Sequence, residues 1–245
     1  IKGDVEFKNV TFSYEDGIEI LKKVSFKAKK GQTVAIVGPT GAGKTTIVNL
    51  LSRFYNVDSG EVLIDGIDIS KVTIRSLRKQ MGIMMQDSFI FSGTVMDNIR
   101  YGNKEVSDEQ VIQAAKTVCA HGFIMEMENG YYTQINERGS RLSQGQRQLI
   151  SFARALLADP KILILDEATS SIDTETEILL QKGLNELLKG RTSFIIAHRL
   201  STIKNADFIM YIDAGGIAEM GSHEELISQK GEYYKLYMSQ YDFLK

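Results

Sequence analysis

The chain has 245 residues, of which 43% are hydrophobic, and this is enough to bury a sizeable core as one large domain. Its 29 Lys and Arg residues nearly balance its 31 Asp and Glu residues, which argues against a protein that binds nucleic acid through bulk positive charge. Its one cysteine excludes an internal disulfide, and no apolar run reaches the roughly 18 residues that span a bilayer.

These properties, with no signal-peptide pattern, lead us to expect a soluble chain. The sequence begins at Ile1 rather than Met, which indicates a piece of a longer protein.

The first predicted elements are strands. Apolar and polar residues alternate in VEFKNVTFSY, as in a half-buried antiparallel strand, and this strand ends at Tyr14. VSFKAKKGQ and GEVLIDGIDI predict two further short strands beside Gly or Asp turns. We therefore predict an N-terminal antiparallel β subdomain.

Four later segments are short and almost continuously apolar, as strands buried on both faces of a parallel sheet are. They are residues 33–38, 161–166, 192–198 and 206–213. Predicted helices alternate with them: 43–54, then 174–189, opening with a capping box Thr174-x-x-Glu177, and another beginning at Ser222-x-x-Glu225. The alternation predicts an α/β fold with a mostly parallel sheet.

The middle of the chain breaks this alternation. It has helix signals at Ser107-x-x-Gln110 and over 146–158, where Pro160 stops the helix. We interpret 87–159 as a helical lobe inserted into an α/β core that is made of 1–86 and 160–245.

A phosphate-binding loop follows the first buried run. GPTGAGKT, residues 38–45, matches the pattern G-x-x-x-x-G-K-[ST] in full. The loop curls its backbone N–H groups toward phosphate oxygens, and the next helix adds partial positive charge. Lys44 supplies a cation for the β- and γ-phosphates, and the Thr45 hydroxyl is a candidate Mg²⁺ ligand. The residues predicted to bind nucleotide here are Gly38, Thr40, Gly41, Ala42, Gly43, Lys44, Thr45 and Thr46.

Two carboxylates and a histidine end other apolar runs. Asp166 closes ILILD, where it is placed to hold Mg²⁺, and Glu167 is placed to polarise an attacking water. His198 closes SFIIAH. Because ligands gather beyond the carboxyl ends of parallel strands, we predict that all three residues meet at one site, where His198 contacts the γ-phosphate.

Two further residues leave alternatives open. Gln86 follows the apolar stretch GIMM, and it is either a ligand of Mg²⁺ or of the attacking water, or a solvated residue at a strand end. Tyr14 either stacks on a base or covers the small β-sheet.

LSQGQRQLI, residues 142–150, is a second turn that is suited to phosphate. Ser-Gln-Gly is a polar turn that opens a helix, and helix starts of this kind bind anions. It has no lysine of its own, so the turn alone makes only half of a site.

Together these motifs resemble the nucleotide-binding domain of ATP-binding cassette (ABC) transporters, over essentially the whole chain. They occur in the family's order: Tyr14, the phosphate loop 38–45, Gln86, LSQGQ 142–146, ILILDE 162–167, SSID 170–173 and His198. The segment INERGSRLSQGQRQ, which contains Glu137, is similar to the exporter type, in which this glutamate faces the membrane domain.

The resemblance implies a P-loop NTPase (RecA-like) fold and a Mg²⁺-dependent ATPase that powers export. It implies that Tyr14 stacks on adenine, that Gln86 couples the site to the lobe, and that Glu167 is the general base beside a switch residue, His198. It also implies that two copies enclose two ATP molecules head to tail. Each site would then use one copy's phosphate loop and the partner copy's Ser143, Gly145, Gln146 and Asp173.

The resemblance further implies transmembrane domains, on the same or a partner polypeptide, at the cytoplasmic face of a membrane. It leaves open whether the two copies are identical, and it places substrate choice in membrane segments outside this chain. Gln144 departs from the commonest signature, Leu-Ser-Gly-Gly-Gln. It either changes the backbone freedom of the turn or reaches a partner.

Two other classes of protein are alternatives. An ABC-type ATPase acting on DNA or ribosomes carries a long coiled coil or two cassettes, and neither is present; salt-dependent nucleic-acid binding would support that class. A GTPase usually has Asn-Lys-x-Asp, whereas this chain has Val106 where that motif has Asp. A small-molecule kinase leaves the signature turn and His198 unexplained. A comparison of ATP and GTP turnover distinguishes these alternatives.

Overall fold

The computed structural model describes residues 1–15, 17–85, 89–136, 141–167 and 172–242. The strands are β1 (Val5–Ser13), β2 (Glu19–Ala28), β3 (Thr33–Val37), β4 (Ser59–Ile64), β5 (Ile67–Asp68), β6 (Met81–Met84), β7 (Gly93–Thr94), β8 (Gln134–Ile135), β9 (Ile162–Asp166), β10 (Thr192–Ile196), β11 (Phe208–Asp213) and β12 (Gly216–Gly221). The α-helices are α1 (Lys44–Leu51), α2 (Ile74–Arg78), α3 (Val95–Arg100), α4 (Asp108–Thr117), α5 (His121–Glu126), α6 (Gln144–Ala158), α7 (Thr174–Leu188), α8 (Leu200–Lys204), α9 (His223–Gln229) and α10 (Glu232–Asp242).

The chain forms two compact units. The first, called the core unit here, comprises residues 1–83, 161–169 and 190–245, and the second, called the helical unit, comprises 84–160 and 170–189. Helix α7 therefore groups with the helical unit, although it follows β9 of the core unit in the chain.

A four-stranded antiparallel sheet occupies the N-terminal part of the core unit, in the order β2-β1-β4-β5. Val5, Phe7, Val10 and Phe12 of β1 are all buried, as the alternation predicts, although register shifts follow Phe7 and Val10. The prediction of an antiparallel β subdomain is confirmed.

The second sheet of the core unit has six strands in the order β12-β11-β3-β10-β9-β6. Strand β3 is parallel to β10 and to β11, and β10 is parallel to β9, so the predicted parallel sheet is confirmed. Strand β12 is an antiparallel edge that was not predicted, because its residues are half-buried or exposed and form no apolar run.

In the helical unit, α6 packs against α3, α4 and α7. The predicted capping box of α4 at Ser107 is present, and Ser222 forms the predicted one of α9 in the core unit. One predicted helix start and one predicted cap were wrong. Helix α6 begins at Gln144, two residues earlier than expected, and α7, which begins at Thr174 as predicted, is capped by the Asp173 side chain rather than by Thr174.

Over the described ranges, none of the helices combines the length and the apolar character that crossing a membrane requires.

Candidate functional site

The phosphate loop joins the buried end of β3 to α1. Gly43, the residue before α1, has a φ of 106°, a backbone conformation that side-chain-bearing residues rarely adopt. A Cβ at Gly43 would lie 2.8 Å from Leu21 Cδ2. Glycine is therefore needed here both to turn the chain into the helix and to let β2 approach. Thr40, Gly41 and Thr45 are exposed on this loop and helix start, whereas Ala42 and Thr46 are buried.

The Lys44 side chain folds back over the loop that precedes it. Its Nζ donates hydrogen bonds to the carbonyl oxygens of Gly38 at 2.8 Å and Pro39 at 2.7 Å. Partial burial lowers the pKa of Lys44, and the nearby negative charge of Asp166 opposes that change. The ammonium group thus lies within the loop, where it is available to phosphate oxygens.

Asp166 is the last residue of β9 and is half-buried. Burial raises the pKa of Asp166, while the charges of His198 and Lys44 act in the opposite direction. Asp166 and the exposed Thr45 hydroxyl both offer hard oxygen donors, which suit Mg²⁺. Among the described residues, no group of three or more His, Cys, Asp and Glu could hold a metal by itself.

Glu167 follows Asp166 and is almost fully buried, at 5% exposure. Its Oε2 accepts hydrogen bonds from the backbone N–H groups of His198 at 3.0 Å and Arg199 at 3.1 Å. Its Oε1 accepts one from Thr202 Oγ1 at 2.6 Å. The predicted base and the predicted switch residue are thus joined through the backbone of His198, whose side chain is exposed. Thr202 was not predicted as a site residue, and its one signal in the sequence is its position shortly after a buried strand.

Tyr14 stands at the end of β1 and is 46% exposed. Its ring meets the rings of Phe12 and Tyr55 edge to face, at centroid distances of 4.8 and 5.0 Å. Its hydroxyl shares a hydrogen bond with Thr46 Oγ1 of α1, at 3.2 Å. The aromatic residue is therefore linked to the helix that follows the phosphate loop, and Tyr55 is a neighbour that was not predicted.

The signature turn lies in the helical unit, at the start of the 15-residue helix α6. Ser143 is the N-cap: its Oγ accepts from the Gln146 N–H at 3.2 Å, and Gln146 Oε1 accepts from the Ser143 N–H at 2.9 Å. The Gln146 side chain thus stabilises the turn itself. Gln144 is the first residue of the helix and has a right-handed backbone, so this position does not require glycine.

Gly145 has a packing role that the sequence did not reveal. It is buried, and a Cβ at this position would collide with Thr176 Cγ2 of α7. Asp173 accepts a hydrogen bond from the Thr176 N–H at 2.9 Å and so caps α7. The two residues predicted to face a second copy therefore also have structural roles: Gly145 lets α6 approach α7, and Asp173 caps α7.

The remaining sequence-based candidates lie outside the described residues. These are Gln86, Glu137 of the exporter-like segment, and Ser170 and Ser171 of SSID.

Comparisons with known proteins agree with these motifs. A family model described as "ABC transporter" matches residues 21–170. An uncharacterized ABC transporter ATP-binding protein, YfiC of Bacillus subtilis (strain 168), is 55% identical over 240 residues, covering 98% of this chain and 40% of that protein. A fatty acid ABC transporter ATP-binding/permease protein of Mycobacterium tuberculosis is 49% identical over 236 residues, 96% of this chain and 37% of that protein.

A solved structure, that of a bacterial Atm1-family ABC exporter with ATP bound, is similar in fold. It superimposes with a TM-score of 0.90 at 44% identity, over 98% of this chain and 42% of the solved one. The chain thus spans about two fifths of the length of the relatives it matches. Given the family match and these identities, the chain belongs to the ABC transporter family.

Proposed function

We propose that the chain hydrolyses Mg²⁺-ATP in a head-to-tail pair with a second nucleotide-binding domain and so powers transport by attached membrane domains. The observation that carries this proposal is the buried Glu167, which lies next to Asp166 and is joined to the segment that bears His198. Within the core unit, the phosphate loop and both carboxylates are all at the carboxyl ends of parallel strands, where ligands of such sheets bind.

The phosphate loop holds the nucleotide. Its backbone N–H groups and Lys44 bind the β- and γ-phosphate oxygens, and Tyr14 stacks on the adenine. Thr45, Asp166 and Gln86 are the protein ligands that hold Mg²⁺. When bound, the ion neutralises charge that develops on the phosphates.

Glu167 is the general base of the reaction. Its carboxylate accepts a proton from the water that attacks the γ-phosphorus, and the bond from that phosphorus to the β,γ-bridging oxygen breaks, leaving ADP and inorganic phosphate. The His198 side chain contacts the γ-phosphate.

A second copy completes each site. Ser143, Gly145 and the start of α6 face the γ-phosphate bound by the other copy, together with Gln146 and Asp173. Binding of ATP then favours the closed pair, and hydrolysis releases it.

The membrane domains are the other partner. Relatives named as ATP-binding/permease proteins are more than twice as long as the matched region, which supports a transmembrane domain on the same or a partner polypeptide. The chain is then located at the cytoplasmic face of that membrane.

Glu167→Gln tests the proposal. The amide cannot accept the proton, so we expect ATP turnover to fall by about 100-fold or more, while ATP still binds. Because bound ATP is no longer consumed, Mg²⁺-ATP should convert the variant to a stable dimer, which light scattering measures across protein concentrations.

The matched control is Glu224→Gln, the same chemical change at an exposed carboxylate in the first turn of α9. It should keep wild-type turnover and should show no persistent dimer. A Glu167→Gln chain that stays monomeric in Mg²⁺-ATP at every concentration, or that keeps wild-type turnover, contradicts the proposal.

A further inference from the structure

The carboxylate of Glu167 is held from one side by the segment that joins β10 to α8. Two backbone N–H groups, those of His198 and Arg199, donate to Oε2, and the Thr202 hydroxyl donates to Oε1. Glu167 is 5% exposed and Thr202 is 3% exposed. All three partners are hydrogen-bond donors, and an ionised carboxylate can only accept hydrogen bonds.

The backbone of Glu167 is fixed to the same segment. Its N–H donates to the Ile196 carbonyl oxygen at 3.1 Å, which continues the parallel pairing of β9 and β10. Both the side chain and the backbone of Glu167 are thus bonded to residues 196–202. The orientation of the carboxylate then depends on the side-chain torsions between Cα and the carboxylate.

Thr202 constrains these torsions from the first turn of α8, as the third residue of that helix. In a helix, a threonine hydroxyl can return to a carbonyl oxygen one turn earlier. Here, on the short helix α8, the hydroxyl donates to Glu167 Oε1 instead, at 2.6 Å. The Arg199 side chain does not cap α8, and the bonds that the Glu167 carboxylate accepts from the Arg199 N–H and from Thr202 connect the start of that helix to the end of β9.

We propose that Thr202 is a positioning residue for hydrolysis, which holds the Glu167 carboxylate in the orientation that receives the proton of the attacking water. A carboxylate oxygen accepts two hydrogen bonds, and Oε2 already has two. Among the bonds between described residues, Oε1 accepts one, from Thr202, and that bond directs its other acceptor position. The inference rests on the proposed function, because it takes Glu167 to be the general base.

Thr202→Val tests the role of the hydroxyl at nearly constant side-chain volume. We expect kcat for ATP to fall about tenfold or more, because a general base that is displaced by a fraction of an ångström loses efficiency. The KM for ATP should stay within about twofold, since the phosphate loop is unchanged. Thr202→Ser keeps the hydroxyl and should restore kcat to within about twofold of the wild type.

A second pair of variants covers the case in which valine prevents folding. Thr202→Ala and Thr202→Ser differ only by the hydroxyl, so alanine should show the loss of kcat and serine should not. Binding of a fluorescent ATP analogue to each variant confirms that the chain is folded. An alanine or valine variant with wild-type kcat, or with a raised kcat, overturns the inference.

The double variant Glu167→Gln, Thr202→Val separates this inference from the function on which it rests. If Thr202 acts through Glu167, valine should cause no further loss when glutamine already occupies position 167. A further tenfold loss in that background means that Thr202 acts elsewhere and overturns the inference. A Glu167→Gln chain with wild-type turnover instead overturns the proposed function itself.

Discussion

The carboxylate of Asp166 shows, at the scale of a single residue, how a binding site can reduce stability. Burial raises the pKa of Asp166, and the opposing charges of Lys44 and His198 do not fully offset that effect. The folded chain therefore holds the ionised form less favourably than the unfolded chain does. The same burial lowers the pKa of Lys44, so both members of this pair are charged at a cost in stability.

Asp166→Asn should therefore stabilise the nucleotide-free chain at neutral pH while it abolishes Mg²⁺-dependent turnover. Asp166 is only half-buried, so we discount the effect for solvent screening and expect a rise in the unfolding midpoint of about 1–3 °C. Thermal unfolding followed by circular dichroism measures the midpoint, and phosphate release measures turnover.

The pH dependence gives a check on the cause. A carboxyl group whose pKa is higher in the folded than in the unfolded chain binds its proton at a higher pH in the folded chain. The free energy of unfolding therefore rises as the pH falls through the folded-state pKa. The advantage of the asparagine variant should therefore shrink toward acidic pH. An advantage that is constant with pH, or that grows in acid, would show that charge burial is not the reason.

At the scale of elements, the contact between α6 and α7 depends on the absence of a side chain at position 145. Gly145→Ala would drive a methyl group into Thr176 Cγ2. Although alanine favours a helix over glycine by about 1 kcal/mol, we expect a net destabilisation of about 1–3 kcal/mol from overpacking. Urea unfolding of the two variants measures this difference.

Gly122→Ala in α5 is the matched control, because nothing lies within 4 Å of a Cβ at that position. It should be neutral or stabilising by up to about 1 kcal/mol. Adding Thr176→Ser, which removes the clashing methyl, should recover most of the Gly145→Ala loss. If serine recovers nothing, the loss has another origin.

These elements also show what the sequence can reveal. The strands of the parallel sheet and the capping boxes at Ser107 and Ser222 were predictable, since apolar runs and short-range capping pairs are local in the chain. The Glu167–Thr202 bond was not, because it depends on how β9 pairs with β10, a contact between residues 35 positions apart.

The site was predictable to a similar degree. The loop at 38–45, Asp166 and Glu167 could be placed at strand ends from their motifs, and the structure has them there. The cap of α7 was assigned one residue too late, because Asp173 and Thr174 are both good N-caps and only tertiary packing decides between them. The roles of the site residues stay predictions.

At the scale of the whole molecule, the proposal places two half-sites on each chain, and a mixture of two inactive variants can test this. Lys44→Ala removes the cation of the phosphate loop, and Ser143→Arg blocks the signature turn. Each variant alone should be inactive. In a two-fold symmetric pair, however, a mixed dimer joins one intact phosphate loop to one intact signature turn.

An equal mixture of Lys44→Ala and Ser143→Arg should recover up to about one quarter of the wild-type turnover, since about half of randomly formed dimers are mixed and one of their two sites is intact. The matched control mixes Lys44→Ala with Asp166→Asn. Both changes lie in the core unit, so every site then contains one defective core and the mixture should stay inactive. Recovery in the first mixture alone requires a site that is shared between copies. No recovery in either mixture would contradict the prediction, because an intact partner would then have failed to supply what a variant lacks.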